Sequence, residues 1–145
     1  GSEMCIRDRY SLIVIDCGTA TTFDVIRSDG VFEGGLICPG MLISAEALYS
    51  RAAQLFQVNL DKPEQLIGKN TTESMQSGFF NGYCAMIEAM VVKITKDLKE
   101  RNQPEPKVII TGGHATKISE YLPDAAIEEN LTLTGLSLIH LLNQK

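Results

Sequence analysis

Apolar and polar positions change their period twice along this chain, and each change marks a boundary between kinds of element. Ser11-Leu12-Ile13-Val14-Ile15 is an almost unbroken apolar run of strand length, and Thr21 to Ile26 mixes β-branched with apolar residues. Ser28-Asp29-Gly30 is a turn signal, and Val31 to Cys38 reads as a third strand that Pro39-Gly40 stops. Two hairpins in succession predict an antiparallel meander. The pair Gly34-Gly35 inside the third strand predicts a bulge or a close backbone approach. From Met41 the period becomes that of a helix, with Met41, Ala45, Leu48 and Ala52 on one face.

Phe56 to Leu66 is irregular, with Pro63 as a breaker, and a polar turn from Ile67 feeds a second, much longer helix. There Met75, Phe79, Tyr83, Met86, Ile87, Met90, Ile94 and Leu98 keep spacings of three and four, which is a core-facing stripe. That helix is expected to end near Arg101-Asn102, ahead of Pro104 and Pro106. The period then returns to that of a strand. Lys107 to Ile110 is short and β-branched, Ala115 to Leu122 reads as a helix stopped by Pro123, Ala125 to Ile127 as a brief strand, and Leu131 to Leu142 as a closing apolar helix. The predicted order is β-β-β-α-α-β-α-β-α, an α/β chain with three antiparallel strands first.

Composition narrows the functional classes. A net charge of −5 with no basic stripe argues against nucleic-acid binding, which rests on clustered Lys and Arg. No apolar run approaches the roughly 18 residues of a membrane span and no signal peptide is visible, so a cytoplasmic protein without a membrane partner is expected. Cys5, Cys17, Cys38 and Cys84 form no C-x-x-C pair, and His114 and His140 lie far apart, which is not zinc spacing. The three later cysteines sit in apolar company and read as buried free thiols. Gly1-Ser2 reads as a tag scar, and Ser2 to Arg9 (SEMCIRDR) has no period and resembles a translated sequencing adapter. Residues 1–10 are therefore expected to be a non-native tail, and residues 11–145 one domain.

The chemistry concentrates in Asp16-Cys17-Gly18-Thr19-Ala20-Thr21-Thr22-Phe23-Asp24, between the first two strands. Gly18 lets backbone approach an anion, Thr19 offers a hydroxyl, and Asp16 a hard oxygen for a cation that accompanies phosphates. A carboxylate satisfying local amides in an Asx-turn explains the same Asp16 without any ligand. Gly112-Gly113, at the end of a strand, either leaves room for a nucleoside or supplies a turn of positive φ. His114 follows at once. Thr71 and Thr72 both stand where a cap of the long helix is needed.

In order along the chain, DCGTATTFD, EGGLICPG, IGKNTTESMQSGFFNGY, IITGGHA and ENLTLTGL resemble the motifs of type III pantothenate kinases, from about Ser11 to Asn143. The resemblance implies a ribonuclease-H-like, actin-type half-domain, the C-terminal half of such a kinase, whose complete enzyme phosphorylates pantothenate with ATP towards coenzyme A. By resemblance Asp16 is the ligand of a monovalent cation, potassium or ammonium, Gly18 and Thr19 contact ATP, and Gly112 and Gly113 take the adenosine. Mg2+ is the implied companion of ATP. Thr71 matches a threonine that touches pantothenate at a homodimer interface formed largely by the long helix. The other half of the family's site, a first phosphate loop and a Gly-Ala-Asp-Arg segment carrying the general base, has no match in these residues. Asp8-Arg9 lies only eight residues before Asp16, too close to be that segment. No catalytic residue is therefore assigned, and the chain alone is expected to be inactive as a kinase. A non-catalytic nucleotide-binding or dimerisation module is the alternative; another actin-type kinase, such as a sugar kinase, lacks a counterpart of IGKNTTESMQSG.

Overall fold

The computed structural model of the chain describes residues 10–128. The predicted tail up to Arg9, Cys5 within it, and the predicted closing helix Leu131 to Leu142 lie outside the described residues. Three strands open the fold: β1 (Leu12–Cys17), β2 (Ala20–Ile26) and β3 (Phe32–Pro39). Two helices follow, α1 (Met41–Arg51) and α2 (Thr71–Glu100). The chain then returns to the sheet as β4 (Lys107–Thr111), makes the short α3 (Ala115–Ile118) and a 3-10 turn (Ser119–Tyr121), and adds β5 (Ala126–Ile127).

These strands form one mixed sheet in the order β3-β2-β1-β4-β5. β1 pairs antiparallel with β2 and β2 with β3, so the predicted meander is present. β4 lies parallel to β1 on its other side, with Ile15 opposite Ile110 and Asp16 opposite Thr111, and β5 lies parallel to β4. Parallel pairing needs a long crossover, which α1, the following loop and α2 supply. The glycine pair in β3 does both things the sequence allowed. Pairing shifts at Val25/Ile26, where Gly34 has φ of 130°, and Gly35 presses against the carbonyl of Phe23.

Strict alternation on β1 decides which face makes the core. Ser11, Ile13, Ile15 and Cys17 are fully buried, whereas Leu12, Val14 and Asp16 are half-buried on the opposite face. Against the first face pack Phe80, Tyr83, Cys84, Ile87, Ile94 and Leu98 of α2, with Phe23 and Val25 of β2 beside them. Most of the predicted stripe on α2 is buried as expected. Phe79 is only half-buried, and Phe80 and Cys84, one position on, take the fully buried places. The buried face is therefore broader than the stripe drawn from periodicity. On α1 only Met41 and Ala45 are buried. Leu48 is exposed and lines an open groove beside the start of α2.

Two local expectations are corrected. Neither Thr71 nor Thr72 caps α2. Asn70 does, its Oδ1 accepting from the Glu73 amide at 2.9 Å while Glu73 Oε2 accepts from the Lys69 amide at 2.9 Å. This reciprocal pair satisfies two amide donors at the start of the helix. The predicted helix Ala115 to Leu122 is one turn of α-helix followed by a 3-10 turn. It has no side-chain N-cap, and Ser119 Oγ turns back to the Thr116 carbonyl at 2.9 Å, which favours the tighter winding. α2 ends as predicted, with Arg101 as C-cap and Asn102 left-handed at φ 58°.

The irregular loop between α1 and α2 is tied down from two sides. Lys117 pairs with Asp61 at 2.8 Å, Lys62 with Glu120 at 2.6 Å, and Gln76 Nε2 donates to the Asp61 carbonyl at 2.9 Å. Beneath the sheet, Thr21 and Tyr83 share a buried hydroxyl–hydroxyl bond of 2.7 Å. Removing the Tyr83 hydroxyl leaves Thr21 without its partner in a dry place. Tyr83→Phe is therefore expected to cost about 1–3 kcal/mol, read as a lower midpoint in urea with an unchanged m-value.

Candidate functional site

The site grows from the carboxyl end of β1. Alternation along that strand sends Cys17 into the core and Asp16 to the opposite face, where it is half-buried. The chain then turns sharply at Gly18 and Thr19, the Gly18 amide donating to the Ala20 carbonyl at 3.2 Å, and returns as β2. Asp16 stands opposite Thr22 on β2 and Thr111 on β4, so it occupies the middle of the sheet edge rather than a rim.

Parallel pairing carries the second motif to the same place. β4 ends at Thr111, and Gly112 continues it at φ 96°, a conformation that side chains disfavour. A methyl group on Gly112 would fall 2.6 Å from Asp16 Oδ1 and 2.7 Å from the backbone of Cys17. The glycine is therefore packed directly on the aspartate. The next peptide is pinned as well, since the His114 amide donates to the Cys17 carbonyl at 3.1 Å. Gly113 differs: it is exposed, and space above its Cα is open. Of the two readings of this glycine pair, the positive-φ turn holds at Gly112 alone, while Gly113 leaves free surface.

A third element meets the same turn. Gly40, the N-cap of α1, lies so close that a methyl group there would fall 2.1 Å from the Thr19 carbonyl oxygen and 2.6 Å from that of Gly18. The start of an 11-residue helix, with no side-chain acceptor on its first amides, is thus held beside Gly18 and Thr19. Such an end carries about half a positive charge. In the sequence Pro39-Gly40 reads as a strand stop at the end of the EGGLICPG motif, with no role at the turn. A glycine placed just before a helix, after a strand that must fold back on a turn, was the available signal.

Charge on the open face is concentrated. Asp24 shares the face with Asp16, two pairs further along the β1–β2 ladder, and its carboxyl is raised above the usual value by partial burial and then by the Asp16 charge. Among the described residues no three His, Cys, Asp or Glu side chains come together as a metal cluster. A cation at Asp16 would accordingly complete its shell with carbonyls, water and ligand oxygens. That suits a monovalent ion, or a Mg2+ that keeps most of its water.

Thr71 is not part of this cleft. It lies on the first turn of α2 and lines an open groove of about 740 Å³ with Leu48, Leu55, Ser74, Met75 and Phe79. α1 separates the two places. Its Gly40 end touches the Gly18–Thr19 turn and its Leu48 lines the groove, about 10 Å along the helix axis. Leu66 and Ile67, on the segment running into the groove, are 69% and 78% exposed.

Below the site the core is closed and neutral. Burial pushes the Cys17 and Cys84 thiols up to about 11, and burial raises the Tyr83 hydroxyl as well. Both thiols are buried as predicted, while Cys38 is half-buried, and none of the three is bridged.

A profile for the type III pantothenate kinase family matches residues 3–93. Type III pantothenate kinases of Rhodospirillum centenum and Halalkalibacterium halodurans are 47% and 46% identical over 131 and 132 residues, 89% and 90% of this chain and 50% of each relative. That of Syntrophotalea carbinolica is 41% identical over 139 residues, 95% of this chain and 53% of the relative. A solved structure from Campylobacter jejuni, described as a conserved Baf family transcriptional activator, superposes with a TM-score of 0.60 at 25% identity, over 98% of this chain and 63% of its own. The chain belongs to the type III pantothenate kinase family, and it spans about half the length of the curated relatives it matches.

The geometry yields two expectations. Gly112→Ala must move either Asp16 or the end of β1 and is expected to destabilise by about 2 kcal/mol or more, whereas Gly113→Ala stays within about 0.5 kcal/mol; thermal melts of both variants test this. For the thiols, the unfolded chain ionises them from about 9.0 and the native chain only from about 11. Their contribution to stability is thus complete below pH 9 and is lost as pH rises towards 11. Denaturant midpoints measured at pH 8, 9, 10 and 11 are expected to fall over that window.

Proposed function

We propose that this chain is the nucleotide-binding, C-terminal actin-type half of a type III pantothenate kinase. In that reading it grips ATP while the base that activates the pantothenate hydroxyl comes from residues outside the chain. One observation carries the reading: Gly112 lies against Asp16 and Cys17, so a strand-end aspartate, a threonine turn and a glycine ledge share one cleft. Thr19 then offers its hydroxyl to the phosphates, with Gly18 permitting close approach of the backbone, helped by the positive end of α1. Gly112 and Gly113 take the adenosine. Asp16 would hold the potassium or ammonium ion, and with ATP's own Mg2+ that cation would neutralise charge on the phosphates. Phosphoryl transfer rests mostly on such positioning and charge compensation. No helix among the described residues is long and apolar enough to cross a membrane, which supports a cytoplasmic setting.

Thr71 belongs, in the same proposal, to the pantothenate side. Its hydroxyl is not spent on capping, and the groove it lines has the apolar walls that the aliphatic parts of pantothenate require. The groove lies away from the phosphate cleft, which favours a second copy of the chain bringing the two together. Gly78, Gly82, Ala85, Ala89 and Val92 run down the exposed side of α2 and leave space for another helix to approach closely. That supports a homodimer built on α2.

A second reading, a non-catalytic nucleotide-binding regulatory module, is favoured by the description of the Campylobacter structure as a transcriptional activator and by the half-length match. Isothermal titration with MgATP in potassium and then in sodium, followed by a pantothenate phosphorylation assay, separates the two. Both readings expect potassium-dependent ATP binding that Asp16→Asn weakens at least tenfold, with no turnover by the chain alone. Turnover on adding residues from the other half of a relative favours the kinase half; its absence, with ATP binding intact, favours the module. Failure to bind ATP at all overturns both.

A further inference from the structure

β3 is an edge strand that is guarded by charge at one end only. Edges are ordinarily fenced by charged side chains, bulges or Pro. At the start of β3, Glu33 pairs with Arg101 and, at 3.7 Å, with Arg27, and the irregularity at Gly34 follows. From Leu36 to Ala45, by contrast, the sequence contains no charged residue. Within that stretch Ile37 is 81% exposed, Leu42 47% and Ile43 41%, and Pro39 is exposed as well. Apolar side chains scattered singly over a surface need no explanation. Three crowded into the end of one strand and the first turn of the helix it runs into do need one.

Register fixes where these side chains stand. Asp16 pairs with Thr22, and Thr22 with Ile37, so the three form one row across the open face. Two strand spacings put Ile37 about 10 Å from Asp16. Gly40, between Ile37 and Leu42, presses on the carbonyls of Gly18 and Thr19. The Gly112 ledge flanks Asp16 from the other side, on β4. A nucleotide with its adenosine on that ledge and its phosphates at the Gly18–Thr19 turn would point its terminal phosphate towards Ile37 and the start of α1. The base that activates the acceptor has to arrive on that side, and it comes from outside the chain in the reading above. The chain spans 50% of two of its curated relatives, so a segment of similar length is available to cover the patch. A second copy is the weaker occupant. In the same reading it approaches along α2, which lies under the core face, whereas Ile37 is on the opposite face.

We propose that Ile37, Leu42 and Ile43 are the seat on which the other half of the family's chain docks through an apolar surface, an inference that rests on the kinase-half reading above. Pro39 has no N–H to donate, so the contact is made by side chains rather than by a strand added to the edge. The three are positioning residues: they touch neither nucleotide nor acceptor and hold the incoming half at the phosphate end of the site.

The test joins this chain to the unmatched half of the Rhodospirillum centenum relative as one full-length protein. Side-chain footprinting, MgATP titration and pantothenate phosphorylation then compare it with the chain alone. The joined protein is expected to turn over, with labelling of Ile37, Leu42 and Ile43 at least about fivefold below that of the chain alone. Ile37→Lys should cut turnover at least about tenfold, while the melt and the MgATP affinity of the chain alone stay unchanged. Phe32→Lys adds the same charge at the fenced end of β3, about 16 Å away, and should leave turnover within about twofold. The same readouts on the two halves co-expressed as separate chains guard against a badly placed joint. Undiminished labelling of Ile37 in an active joined protein, turnover indifferent to Ile37→Lys, or an equal loss from Phe32→Lys would each overturn the assignment and leave the kinase-half reading standing. Protection that develops in the chain alone as its concentration rises gives the patch to a second copy and likewise overturns it. If the joined and co-expressed forms bind MgATP and turn nothing over, the kinase-half reading fails and takes the assignment with it.

Discussion

The contact between Gly112 and the Asp16–Cys17 segment is the constraint on which the rest of this structure depends. It exists because β4 runs parallel beside β1, which brings the ends of both strands to one edge of the sheet. Only a residue without Cβ, at positive φ, can then cross over the aspartate. The contact fixes the Asp16 carboxylate from one side while the β1–β2 turn fixes it from the other. Two motifs almost a hundred residues apart thereby meet at one end of the sheet. Sites at the carboxyl ends of parallel strands have this origin generally: the strands aim, and the loops bind.

The core below the cleft explains how such an edge stays rigid. β1 is the central strand and alternates without fault, so every second side chain is sealed under α2. The Thr21–Tyr83 hydroxyl pair sits in this layer beside Cys17, and the surrounding burial keeps the nearby thiols and phenol protonated. Among the described residues no charged side chain is buried beneath the site; both carboxylates, Asp16 and Asp24, are on the open side. A cation bound there would relieve repulsion between them.

α1 divides the labour. Its glycine-capped start abuts the Gly18–Thr19 turn and its far end lines the groove around Thr71. Half of a two-domain kinase would have this incompleteness built in. In the proposed reading a nucleotide grip and a substrate groove would stand on one chain, and the chemistry between them would need groups supplied from elsewhere. The match to about half of each curated relative agrees with that division.

Much of this was legible in the residues. The unbroken apolar run of β1, the turn at Ser28-Asp29-Gly30, the glycine pair of β3 and the long stripe of α2 dictated element types and most boundaries, since each is a local matter of period and φ. The candidate residues Asp16, Gly18, Thr19, Gly112 and Gly113 stood out because they fall in motifs that resemble the family's in order, although turns of the same composition also serve purely conformational ends. What periodicity misjudged were quantities set by neighbours: Phe80 rather than Phe79 faces the sheet, Leu48 is exposed, and Asn70 rather than a threonine caps α2. By itself the amino-acid order determined an α/β chain and a set of phosphate-suited turns. Only the tertiary structure decided that Gly112 touches Asp16, that Gly40 brings a helix end to the same turn, and that Thr71 lies elsewhere. Spatial neighbours across a parallel crossover are fixed by how strands pair and helices pack, and no local pattern encodes that pairing.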